Sequence, residues 1–131
     1  MFGGRRICRG QTAELVRDAS VVFAHASTAI SFAVLWRKPI VFLTSHGISS
    51  GWYQPWIDAP RLLLGAHLLN IDEDFPSRRV EDWLNFDVAA FVRYEQRFIK
   101  SNHAPDISLW HQFSFLLQKR SYAPALVGPS Q

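Results

Sequence analysis

Apolar residues follow two rhythms along this chain. Short blocks rich in β-branched and aromatic residues, "SVVFA" at 20–24, "IVFLT" at 40–44 and "HLLNID" at 67–72, read as strands, as do residues 5–9. Between them, apolar positions recur every three or four residues, the period of a helix with one buried face. "GQTAELVRDAS" predicts a helix with Thr12 as N-cap and Glu14 in the first turn, where the helix dipole favours a carboxylate. A second helix is expected over residues 28–37, and a third within 56–65. Pro60 must then sit in that helix's first turn or kink it, and Gly65 is placed to end it. "SHGISSGWYQP" reads as a loop, marked by Gly47, Gly51 and Pro55.

The C-terminal third predicts two or three helices. Asp87 can cap one in which Phe91, Tyr94 and Phe98 repeat on one face beside Val88, Val92 and Ile99, with Arg97 and Lys100 in the last turn. "DISLWHQFSFLLQKR" repeats the pattern with Leu109, Trp110, Phe113, Leu116 and Leu117. From Ser121 the chain carries Pro124, Gly128 and Pro129 and reads as a loose tail, 121–131.

The stretch 24–45, "AHASTAISFAVLWRKPIVFLTS", decides the fold class. No fixed charge occurs from Ala19 to Trp36, a run at the lower edge of the roughly 17–25 residues that a spanning helix needs. His25, Ser27, Thr28 and Ser31 interrupt it, "SVVFA" has strand composition, and Arg37, Lys38 and Pro39 close it before the next apolar block. Strand, polar break, helix, proline and strand make a βαβ unit, not a transmembrane span. Continuous apolar strands are those of a parallel sheet covered on both faces. The expected fold is α/β: a partial Rossmann-like parallel sheet flanked by helices, with a helical C-terminal end, over residues 1–120.

The 131 residues suffice for one domain, and 48% hydrophobic against 19% charged residues fits a folded chain. Fourteen basic against eleven acidic residues give +3, scattered along the chain, which does not make a nucleic-acid surface. The single Cys8 excludes an internal disulfide and a cysteine-based zinc site. His46, His67, His103 and His111 lack metal-ligand spacing, so no metal is expected, and no cofactor is implied. The N-terminus has no signal-peptide pattern and enters a strand at once, as if the chain started partway through a larger domain.

In a parallel α/β unit, ligands bind beyond the carboxyl ends of the strands. "HASTA" at 25–29 falls there. Ser27 and Thr28 offer hydroxyls and backbone N–H groups to a phosphate, small alanines allow close approach, and His25 could donate to a phosphate oxygen. The same residues also suit an ordinary helix cap with no ligand and a structural histidine. Glu14, Asp18, Asp72, Glu73 and Asp74 read as a helix-start charge, a solvated charge and an exposed turn rather than as catalytic carboxylates. No Walker-type loop or Gly-x-Gly-x-x-Gly motif is present.

"GQTAELVRDASVVFAHASTAISFAVLWRKPIVFLT" resembles the C-terminal domain of GT-B-fold glycosyltransferases that build bacterial surface polysaccharides, including capsule, lipopolysaccharide and sialyltransferase-like enzymes. "LLNID" and "AFVRYEQRFIKS" are similar to the end of such domains. The resemblance implies a nucleotide-sugar donor as ligand. The Ser27–Thr28 pair would hold the donor phosphate, with His25 just before it. It implies a cytoplasmic location, at most peripheral at the inner face of the membrane. The N-terminal acceptor domain of that family is missing, and so is its His-Pro motif, so no catalytic residue carries over. The missing N-terminal domain, or a partner chain in its place, is the second expected partner. The chain then reads as an incomplete donor-binding portion, inactive and sticky alone. The alternatives are a non-catalytic remnant or interaction module with an α/β fold, or part of a nucleotide-sugar epimerase.

Overall fold

The computed structural model describes residues 7–73 and 79–105, with isolated positions at 4, 107, 108, 111 and 114. Its elements run α1 (Thr12–Asp18), β1 (Val22–Ala24), α2 (Ile30–Leu35), β2 (Ile40–Thr44), α3 (His46–Ser49), α4 (Gln54–Leu64), β3 (His67–Asn70), a 3-10 turn (Val80–Trp83) and α5 (Val88–Phe98). The three strands form one parallel sheet in the order β1-β2-β3, so the fold is α/β as the apolar blocks predict. Val22 pairs with Ile40 and Ala24 with Phe42, while Phe42 pairs with Leu68 and Thr44 with Asn70.

β2 is central, and Ile40, Val41 and Phe42 are buried although they point alternately to both faces. Ile40 and Phe42 face the helices, where Val16 of α1, Ala33 and Val34 of α2, Ile57 and Leu64 of α4 and Phe91 of α5 form the main core. Val41 points the other way, to a smaller cluster with Leu69 and Trp83. There the Phe23 ring meets Trp83 edge-on, with centroids 5.1 Å apart.

Local signals set most boundaries. Asp87 caps α5, its carboxylate accepting from the Ala90 N–H at 3.0 Å. Gly65 ends α4 in the left-handed conformation, φ 61°, with the Ala66 N–H donating to the Arg61 carbonyl at 3.0 Å. α2 ends the same way, but on Arg37, φ 53°, with Lys38 N–H donating to the Ala33 carbonyl at 2.8 Å.

Several boundaries differ from expectation. Gln11, not Thr12, precedes α1, and no side chain caps it. Residues 7–9 carry no strand, and residues 5 and 6 lie outside the described residues. α2 begins at Ile30 because the turn at Ser27–Ala29 comes first. α4 begins at Gln54, so Pro55 occupies the first turn and Pro60 lies inside the helix, where it has no N–H for the Trp56 carbonyl. The loop after β2 contains the helical turn α3, capped by the Ser45 hydroxyl. The apolar repeat at Leu109, Trp110, Phe113, Leu116 and Leu117, and the tail 121–131, fall outside the described residues. No described helix is long and apolar enough to cross a membrane.

Candidate functional site

β1 ends at Ala24, and the chain turns through His25–Ala29 into α2. The Ser27 hydroxyl accepts from the Ala29 N–H at 3.2 Å, and the Ser27 carbonyl accepts from Ile30 N–H at 3.2 Å. Ser27 therefore closes a local turn ahead of α2, whose N-cap Ala29 has no side-chain cap, and a hydroxyl that accepts one bond can still donate to a ligand. Ser27 and Thr28 are both exposed. With Ser31 they line one side of a groove of about 500 Å³. Trp56, Pro60 and Leu63 of α4 and Tyr94 and Phe98 of α5 line the other. The volume falls within the range of small-molecule sites, about 300–1,000 Å³.

His25 is not in this groove. It lines a neighbouring pocket of about 360 Å³ with Ile48, Gly51, Trp52 and Tyr53. The Tyr53 ring stands edge-on to His25, with centroids 6.1 Å apart, and its hydroxyl lies 3.4 Å from the Ala26 carbonyl. The sequence groups His25, Ser27 and Thr28 in one motif; the turn sends the histidine to one pocket and the two hydroxyls to another.

A smaller recess of about 130 Å³ shares Leu63, Tyr94 and Phe98 with the groove and adds Arg93 and Arg97. The Arg97 guanidinium lies 5.4 Å from the Phe98 ring centroid. Burial pushes the Tyr94 phenol up. The floor of the sheet end is set by Thr44, buried at the end of β2, whose hydroxyl donates to Gln54 Oε1 at 2.7 Å.

A second cluster lies at the same edge of the sheet. His46 Nε2 bonds the Glu73 carboxylate, Nδ1 lies 3.4 Å from Asp72 Oδ2, and the His46 N–H donates to that same oxygen at 2.8 Å. The bond to Glu73 comes first in raising the His46 pKa above 6.5, helped by the charges of Glu73 and Asp72. Asp72 and Glu73 do lie in an exposed turn, as the sequence predicts, but their partner His46 is distant in the chain. The signal that finds them is register: Thr44 pairs with Asn70, so residues two beyond each, His46 and Asp72, meet above the sheet.

Asp74 lies outside the described residues. Among the described residues no group of His, Cys, Asp and Glu could hold a metal, and no buried side-chain polar atom lacks a partner. Glu14 stands in the first turn of α1 as predicted, and Asp18 is bound by its neighbour Arg17 at 2.9 Å. No protein-family model, curated protein or solved structure matches this chain. His25 meets the Tyr53 ring and lines a different pocket from Ser27 and Thr28.

Proposed function

We propose that the chain is the nucleotide-sugar-binding portion of a glycosyltransferase of surface-polysaccharide assembly, with the donor phosphate at Ser27 and Thr28. One observation carries the reading: both hydroxyls, exposed, open onto a groove beyond the carboxyl end of a parallel strand. α2 spans only six residues, so its dipole adds little, and the hydroxyls and turn N–H groups do the holding. Trp56, Tyr94 and Phe98 give the groove aromatic walls against which a base or sugar ring can lie. Catalysis falls to the portion that supplies the acceptor site.

A second reading, an interaction module without chemistry, is favoured by the exposed Trp56 and Leu63 on the α4 side of the groove. Titration of the full chain with CMP, CDP, UDP and GDP by calorimetry separates the two. Binding of one nucleotide, weakened by about 1–3 kcal/mol in Ser27→Ala/Thr28→Ala, is the expected result. Failure of all four to bind, or unchanged affinity in the folded variant, favours the second reading.

A further inference from the structure

His25 and the loop after β2 build a pocket of about 360 Å³ that nucleotide binding leaves unused. Three rings stand around it. Trp52 and Tyr53 meet nearly at right angles, 88°, with centroids 5.5 Å apart. His25 stands at 67° to Tyr53, with centroids 6.1 Å apart. Gly47, Ile48 and Gly51 complete the described lining. Trp52 is 80% exposed, so its ring has surface to offer a ligand. Neither Trp52 nor Tyr53 lines the groove of Ser27 and Thr28.

The chemistry of the lining selects among ligands. The described lining residues include no Lys, Arg, Asp, Glu, Asn, Gln, Ser or Thr. The Tyr53 hydroxyl is turned to the Ala26 carbonyl, 3.4 Å away, which leaves the His25 ring to hydrogen-bond a ligand. A saccharide or a phosphate is recognised through several such groups. A quaternary ammonium needs none. It has no N–H, and it is drawn to the faces of aromatic rings, best to tryptophan, within about 6 Å of the centroid. Ring centroids 5.5 Å apart let one cation lie within that reach of both Trp52 and Tyr53. The ionic surroundings have the matching sign. His46, next to Gly47 in the chain, bonds Glu73 and lies 3.4 Å from Asp72. Two carboxylates against one imidazole keep that cluster negative whether or not the imidazole is protonated.

We propose that this pocket binds a quaternary ammonium group, the trimethylammonium head of a small molecule, between the rings of Trp52 and Tyr53, with His25 as the third wall. The inference goes beyond nucleotide binding and does not depend on it.

The test titrates the full chain with tetramethylammonium, choline, ammonium and the neutral tert-butyl isostere of choline, at constant ionic strength, while backbone and indole NMR resonances are followed. The expected result is saturable shifts at His25 and at residues 47–53 with both quaternary cations. Choline should bind about tenfold more tightly than its isostere, and ammonium, which is held by its hydration, more weakly than tetramethylammonium. Trp52→Leu keeps an apolar side chain but removes the ring, and should weaken choline about tenfold; Trp52→Phe should restore part of the affinity. Circular dichroism of both variants should match the parent, because Trp52 is exposed. Titration with trimethyl-lysine beside choline separates a modified side chain from a free small molecule as the source of the group; the tighter of the two names it.

Four results overturn the proposal. They are no saturable shift, equal affinity for the isostere, parent-like affinity of folded Trp52→Leu, and shifts confined to Ser27, Thr28 and their groove. Equal affinity for the isostere would make this a plain apolar pocket. Choline binding without nucleotide binding would keep this inference and remove the donor-binding function; nucleotide binding without choline binding would do the opposite.

Discussion

Arg37 reaches from the end of α2 to Glu95 on α5, and it does so from a backbone conformation that glycine ordinarily takes. Its guanidinium also donates to the Val34 carbonyl, so one side chain closes its own helix and ties down the next. The left-handed φ of 53° is the cost of that reach.

Arg37→Ala keeps the strained φ and loses both bonds, and it should destabilise by about 1–3 kcal/mol in urea unfolding. Arg37→Gly loses the same bonds but relieves the strain, so it should be more stable than Arg37→Ala by about 1 kcal/mol. The opposite order would mean that φ at this position carries no penalty.

Gly65 gives the complementary case. A Cβ there meets only ordinary contact, with Asp87 Cβ at 3.9 Å, so Gly65→Ala tests φ and not space. A loss of about 1 kcal/mol is expected in thermal unfolding.

The His46 cluster predicts a pH dependence. The folded pKa is raised, so its stabilisation is complete below 6.5, the ordinary histidine value, and is lost as pH rises through the folded value. The loop after β2 should therefore hold to the turn after β3 more firmly at pH about 6 than at pH about 8. NMR titration of the His46 ring reads this directly. Glu73→Gln should move the midpoint down toward that of an ordinary exposed histidine; an unmoved midpoint would assign the shift to another group.

Trp83 covers the face of the sheet that the helices leave. Trp83→Ala removes the edge contact to Phe23 and uncovers Val41 and Leu69. A loss of about 3 kcal/mol or more is expected, with increased binding of a hydrophobic dye. A loss under about 1 kcal/mol would show that this cluster contributes little.

Thr44→Val removes the hydroxyl that holds Gln54 and so the start of α4 beside the groove. It should cost about 1 kcal/mol, while Thr44→Ser, which keeps the bond, should cost less.

What could be read from sequence was local. Three apolar blocks with a proline-terminated helix between two of them pointed to a parallel α/β sheet, and the central strand β2, covered on both faces, is apolar from Ile40 to Leu43. Asp87 and Gly65 marked helix ends because a cap acts within one turn. Tertiary structure alone decided what came together across elements. Register brought His46 to Asp72 and Glu73, and helix packing brought Arg37 to Glu95, pairs separated by 26 or more residues. The turn after β1 parted His25 from Ser27 and Thr28, which adjacency in sequence had joined. α4 shows the reason most plainly: a helix apolar on several faces has no periodicity that says which face is inside. Only the positions of β2 and α5 determined that Ile57 and Leu64 are buried and that Trp56 and Leu62 meet solvent.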